Sequence, residues 1–172
     1  GHVVIYDDDH FYIGGVLAEL LLSYGNSVTL VTPALRVSDW TVNTLEQEFI
    51  QRRLMKAGVS IRVTRSVEAV TPRGVRLACT YSGQEEDVTC DAVVLVTARL
   101  PVGHLYDDLI DLSPQWNDAG VSSVRRFGDA EAPAPIAWAT YAGHRYAREL
   151  DEPDRGDALP FRREVASLST AP

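Results

Sequence analysis

The sequence predicts an α/β fold: a parallel sheet flanked by helices, a small antiparallel β-meander, and one further strand and helix after them. Three observations predict it. Two β-branched runs enclose an apolar helical stretch in VVIYDDDHFYIGGVLAELLLSYGNSVTLVT, and about thirty residues are what a right-handed parallel crossover needs. A later run, DAVVLVT, is almost continuously apolar, as suits a central parallel strand covered on both faces. Between them, short strand-like segments alternate with Pro- and Gly-containing turns, the pattern of a meander.

Taken in order, Val3 to Tyr6 reads as a buried strand. From Tyr12 to Tyr24, Ile13, Val16, Leu17, Leu20 and Leu21 recur at helical spacing, and Gly25-Asn26 suits the left-handed cap that ends a helix. Ser27 to Thr32 is the second strand. Pro33 to Asp39 reads as loop and Thr44 to Ala57 as the second helix, stopped by Gly58, with Lys56 placed favourably against the helix dipole. Strands follow at Ser60–Val63, Val67–Val70, Val75–Tyr81, Glu86–Cys90 and Asp91–Thr97. Their turns are Pro72–Gly74 and Ser82-Gly83. Tyr106 to Ser113 is a short helix, Pro114 to Gly120 a loop, Val121 to Phe127 a further strand, and Ile136 to Leu150 a final helix. The tail from Asp151 is polar with scattered prolines and is expected to lie over a surface or be partly disordered.

The chain has 172 residues and a net charge of −8, from 24 acidic against 16 basic residues. That balance repels nucleic-acid backbones and anionic lipid at long range, so neither is an expected partner. The basic pairs Arg52-Arg53, Arg125-Arg126 and Arg162-Arg163 are scattered along an acidic chain and read as solvated faces. No apolar run is long enough to span a bilayer. The sequence starts almost directly on a strand, as an excerpt of a longer protein would. Cys79 and Cys90 lack a CxxC or His-rich context and read as reduced strand residues of a cytoplasmic protein.

The loop YDDDHFYIGG carries the first chemical question. In a dinucleotide-binding βαβ unit, glycines make the tight turn and admit a pyrophosphate to the helix N-terminus. Here Asp7, Asp8 and Asp9 stand at that approach, Gly14-Gly15 come late, and no GxGxxG can be drawn. A carboxylate about 4 Å from a phosphate costs about 1 to 4 kcal/mol at effective dielectrics of 80 to 20. The expected arrangement is that Asp9 or Asp8 fills the anion site with its own side chain. Consecutive carboxylates on an extended backbone seldom converge on one ion, which disfavours the alternative of a bridging metal. The end of the second strand has Thr32-Pro33 where an NAD site has an acid for the ribose. Arg36 is the sole nearby candidate for a 2′-phosphate, against the simpler reading of a surface arginine. NAD(P) binding is therefore not expected.

A stronger nucleotide signal is FGDAEAP. Gly128 lets backbone approach a ligand, Asp129 can accept from a sugar hydroxyl, and a helix starts near Pro135 with free N–H groups. The competing reading is an ordinary strand-to-helix turn capped by Asp129. His10, His104 and His144 form no triad or metal-ligand spacing, and no nucleophile motif, HExxH or P-loop occurs. No catalytic residue and no metal ligand is assigned.

These segments, with TLEQEFIQRRL, DAVVLVTAR and FGDAEAPAPIAWATYAGHRYARE, resemble the C-terminal region of the trimethylamine dehydrogenase group over roughly Val3 to Glu164. That group contains the dimethylamine and histamine dehydrogenases and related N-methyl amino acid demethylases, and is more distantly similar to the 2,4-dienoyl-CoA reductases. The resemblance implies an old-yellow-enzyme barrel with FMN and a 4Fe–4S cluster, neither of which lies in this chain. An FAD- or ADP-binding domain follows it, with a Rossmann-like NAD(P)-type domain inserted. Residues 1–100 would be that inserted domain, with a degenerate glycine loop. Residues 101–150 would be a linker and the returning strand and helix of the FAD/ADP-type domain, and 151–172 a tail. Gly128 and Asp129 would face the adenine nucleotide, with Ala130, Glu131 and the residues to Pro135 as weaker neighbours.

The function so implied is that of a piece of a flavin-dependent oxidoreductase acting on an N-methylated amine or amino acid, the piece itself being a non-catalytic scaffold. Two alternatives stay open. One is an NAD(P)H-binding domain of an NADH:flavin oxidoreductase like the dienoyl-CoA reductases. The other is a docking domain for an electron-transfer flavoprotein, using Trp40 as an exposed aromatic. The remaining expected partners are the rest of the same polypeptide and, for the parent enzyme, a second copy in a homodimer.

Overall fold

The computed structural model describes residues 1–150, so the expected tail and the Arg162-Arg163 pair lie outside the described residues. The chain divides into two compact units, Gly1–Ala98 and Arg99–Pro172. Each is described by itself.

In the first unit the strands are β1 (His2–Asp7), β2 (Ser27–Val31), β3 (Ser60–Arg62), β4 (Arg65–Thr71), β5 (Gly74–Cys79), β6 (Glu85–Thr89) and β7 (Ala92–Val96). Helix α1 spans Ile13–Ser23 and α2 spans Gln47–Lys56. The parallel sheet has the order β3-β2-β1-β7, with Val4 opposite Thr29 on one side and Val93 on the other. The meander β4-β5-β6 is antiparallel, with an irregularity between Val67 and Ala69.

Because strand side chains alternate between faces, β1, β2 and β7 each feed two cores. Ile5, Val28, Leu30 and Val96 meet Ala18, Val37, Leu54 and Val59 under the helices. Val4 and Val31 meet Val75 and Leu77 of the meander on the opposite face. The unit therefore has three layers: helices, parallel sheet, meander. Burying side chains the size of Leu30, Leu54 or Leu77, all essentially inaccessible, stabilises by about 1.5–3 kcal/mol each.

Two expectations are corrected here. Helix α2 starts at Gln47, three residues later than Thr44. Leu45 is left-handed (φ 62°) and the Thr44 hydroxyl bonds the Glu46 carboxylate at 2.6 Å, a local side-chain bond that competes with helix. Strand β7 does pack on both cores, through Val94 and Val96 on the helix side and Val93 on the meander side, but it is not the central strand expected. It lies at the sheet edge, with Leu95 58% exposed. Its apolar run describes a covered strand, but β1 is its one strand neighbour among the described residues.

In the second unit, α3 spans His104–Asp111 and α4 spans Ile136–Glu149. A 3₁₀ turn at Ser113–Gln115 follows α3, and Trp116 Nε1 donates to the Leu109 carbonyl at 2.8 Å. The strand expected at Val121–Phe127 is not formed. Phe127 has extended dihedrals (φ −156°, ψ 174°), but no partner strand pairs with this segment among the described residues. A strand is defined by its ladder, and an extended segment without one cannot bond its backbone in pairs.

Candidate functional site

The crevice beyond the carboxyl ends of β1 and β2 is where a doubly wound sheet receives a dinucleotide. In this chain Asp7, the last residue of β1, turns into it and is fully buried. Its Oδ1 accepts from the backbone N–H of Asp9 and of His10, both at 3.2 Å. Its Oδ2 is buried without a hydrogen-bond partner. Burial pushes the Asp7 carboxyl above the ordinary carboxylate range, more than the two N–H donors and nearby His10 pull it down.

The aspartate whose side chain turns inward is thus Asp7, where Asp8 or Asp9 is expected. The Asp8 carboxylate points outward to His10 Nε2 at 3.3 Å, and Tyr12, at the N-cap of α1, makes no side-chain cap. The reason lies in the strand end, where the Asp8 N–H is already taken by the Val96 carbonyl at 2.8 Å, so the chain turns at Asp7. The sequence carried one signal for this, Gly14 in the first turn of α1. A Cβ on Gly14 would lie 2.6 Å from Asp7 Oδ2. The dinucleotide fingerprint keeps a glycine for close helix–strand packing, and here that closeness accommodates a carboxyl.

The loop after β2 roofs this turn. Trp40 N–H donates to the His10 carbonyl at 3.1 Å, and the Trp40 and Phe11 rings pack with centroids 4.8 Å apart. The Tyr12 hydroxyl donates to Glu46 at 2.5 Å beside the Thr44 hydroxyl. Those two hydroxyls, Thr44 first, hold the Glu46 carboxyl below its ordinary range. His10 (φ 63°) and Ser38 (φ 51°) are left-handed, a conformation that costs about 1–3 kcal/mol for such residues and persists only where surroundings enforce it. Both also carry a buried, unpartnered polar atom, His10 Nδ1 and Ser38 Oγ. Ser38 Oγ lies 4.0 Å from where a Cβ on Gly15 would be. Sequence reasoning missed Ser38 altogether.

Arg36, the candidate for a 2′-phosphate, is paired with Asp39 at 2.8 Å. Trp40, the candidate docking aromatic, is folded back on Phe11 and remains 36% exposed. Thr32 at the end of β2 is fully buried, and its Oγ1 accepts from the Ala34 N–H at 3.3 Å. The strand end thus offers no acid to a ribose.

In the second unit, Gly128–Ala130 form a 3₁₀ turn whose Gly128 is left-handed (φ 64°). The Gly128 carbonyl accepts from the N–H groups of Glu131 and Ala132 at 3.1 and 2.9 Å. A Cβ on Gly128 would come within 3.3 Å of the Ala139 Cβ, so the turn packs closely on α4. Asp129 and Glu131 are exposed. Asp129 Oδ1 accepts from the Ala134 N–H at 3.3 Å, and α4, with Pro135 at its N-cap, has no side-chain cap. Phe127 stacks on Tyr146 at 5.4 Å. Gly128, Asp129, Ala130 and Glu131 are contiguous, so the turn brings them together. His104 and His144 join no such cluster, and no group of His, Cys, Asp and Glu able to hold a metal occurs among the described residues. Cys79 and Cys90 are free thiols.

No family model matches the chain. Dimethylamine dehydrogenase of Hyphomicrobium sp. (strain x) is 32% identical over 187 aligned residues, covering 98% of this chain and 25% of that protein. The structure of histamine dehydrogenase from Rhizobium sp. 4-9 superposes with a TM-score of 0.85 at 56% identity, over 97% of this chain and 26% of that one. A third, the 6-hydroxypseudooxynicotine amine oxidase of Pseudomonas geniculata N1, gives a TM-score of 0.76 at 38% identity, over 84% of this chain and 21% of that one. The chain thus spans about a quarter of the length of its relatives. It is homologous to a C-terminal part of the dimethylamine and histamine dehydrogenases, oxidoreductases of the trimethylamine dehydrogenase group.

Proposed function

We propose that the chain serves as a non-catalytic nucleotide-domain scaffold within a flavin-dependent dehydrogenase of amines, with an N-methylated amine or amino acid as substrate class. The observation that carries this reading is the Asp7 side chain in the crevice. It is held by two backbone N–H groups of the kind that would otherwise meet a phosphate. A dinucleotide pyrophosphate would have to displace a buried carboxyl and open the roof made by Trp40 and Glu46. NAD(P) therefore does not fit the first unit.

For the second unit, the left-handed Gly128, the exposed Asp129 and the uncapped start of α4 fit half of a site for the adenine nucleotide of FAD or for ADP. Gly128 would give backbone access, Asp129 would accept from a sugar hydroxyl, and Ala130 and Glu131 would line the approach. FMN, the 4Fe–4S cluster and the amine would be handled by other parts of the parent enzyme. Its expected setting is cytoplasmic, as a homodimer passing electrons to a flavoprotein. The relatives named dimethylamine and histamine dehydrogenase support the amine dehydrogenase part of this reading.

Calorimetric titration of the chain with NADH, NADPH and ADP tests it. Neither reduced cofactor is expected to bind in the micromolar range, and such binding by either would overturn the reading in favour of a working NAD(P)H domain. Unchanged adenine-nucleotide binding in a Gly128→Val, Asp129→Ala variant of the parent enzyme would remove the half-site assignment.

A further inference from the structure

The loop at the end of β1 has a property that a scaffold does not require. Three features meet there. Asp7 is a fully buried acid with one oxygen satisfied twice and the other not at all. The two N–H groups it holds belong to Asp9 and to the left-handed His10. The His10 carbonyl in turn holds the Trp40 N–H of the roof.

We propose that Asp7 is a proton-operated latch: its neutral carboxylic acid holds the Asp8–Tyr12 loop and the Trp40 roof closed over the crevice, and its carboxylate releases them. In the closed loop the neutral group can rest Oδ2 against Gly14, where no donor stands. Ionised, that oxygen would carry charge in a buried position with no hydrogen-bond donor among the described residues. The roof loop's charged groups are engaged elsewhere, Arg36 with Asp39 and Glu46 with the Tyr12 and Thr44 hydroxyls, so the titratable groups facing it are few. Its own loop supplies Asp9, which repels the charge, and His10, which attracts it. The first turn of α1 is Ile13, Gly14, Gly15 and Val16, and β7 is Ala92–Val96, so neither contributes a charge. Relief comes from moving the carboxylate out to water, with the proton lost to solvent. That motion breaks both bonds to Asp9 and His10, frees His10 from its left-handed conformation and withdraws the carbonyl that holds Trp40.

Linkage fixes the size of the effect. Each unit by which the closed loop raises the Asp7 pKa over the open loop shifts the opening equilibrium by about tenfold on ionisation. The test is amide hydrogen exchange by NMR on the whole chain, corrected for the intrinsic pH dependence of exchange, with the Asp7 carboxyl carbon followed in the same samples. Protection of the Asp9, His10 and Trp40 amides is expected to fall by about tenfold or more as the Asp7 carboxyl titrates. Asp7→Asn should abolish that pH dependence, and His10→Gln should leave it in place. Amides that stay protected through the Asp7 titration would overturn the latch. So would a pH dependence that survives Asp7→Asn or disappears in His10→Gln. The measurement on the unsubstituted chain decides the matter even where a variant fails to fold.

Discussion

Asp7 and Gly14 occupy one another's space: a single methyl group on Gly14 would stand 2.6 Å from Asp7 Oδ2 and 2.9 Å from its Cβ. The contact includes the root of the Asp7 side chain as well as its tip, so no rotation about a terminal bond relieves it.

Gly14→Ala is therefore expected to destabilise the fold by about 1–3 kcal/mol, although alanine is favoured over glycine in a helix interior by about 1 kcal/mol. Asp7→Gly combined with Gly14→Ala should recover much of that loss. Urea denaturation of the two single variants and the double variant gives the coupling directly. An additive cycle would show that the pair does not interact.

Glu46 predicts a pH dependence of the roof. Its carboxyl is held below the ordinary glutamate range by the Thr44 and Tyr12 hydroxyls. A depressed folded-state pKa contributes stability above the unfolded value and loses it as pH falls through the folded one. The gap in urea midpoint between the native chain and Glu46→Gln should thus be wider near pH 7 than near about pH 3. Equal gaps at the two ends would show that the two hydroxyls do not favour the charged form.

The two cores on opposite faces of the parallel sheet share strands but no side chains. Leu54→Ala and Leu77→Ala are each expected to cost about 2–5 kcal/mol. Their sum should match the double variant within about 0.5 kcal/mol, provided the double variant still folds.

Cys79 sits at the end of β5, and its thiol is lowered to about 7, first by the Ser82 hydroxyl and then by backbone groups of the turn. Burial instead pushes the Cys90 thiol up. Alkylation by iodoacetamide should label Cys79 first, with a rate that levels off just above its titration near pH 7. Ser82→Ala should move that profile to higher pH.

The sheet and helices of the first unit were legible because periodicity reports burial. Ile5 and Val4 fall on opposite faces in any strand, and Leu17 and Leu21 recur at helical spacing whatever they pack against. The start of α2 was not legible, since Thr44 reads as helix until its hydroxyl finds Glu46. The missing strand at Val121–Phe127 has the same origin: extended propensity is local, whereas a ladder partner is not. At the crevice, the three aspartates announced that a glycine loop was gone. Which of them turns inward depended on a backbone bond from Asp8 to Val96 across the sheet, a contact nearly ninety residues distant that spacing alone does not encode.

The exposed flank of β7 carries a practical consequence. Its outer backbone row meets no strand among the described residues, and Leu95 beside it is open to water. Such an edge is a template onto which another extended segment can zip, adding hydrogen bonds one residue at a time. For the chain handled in isolation, that makes β7 the place where association in concentrated solution would begin. A lysine at position 95 would be the simplest guard against it.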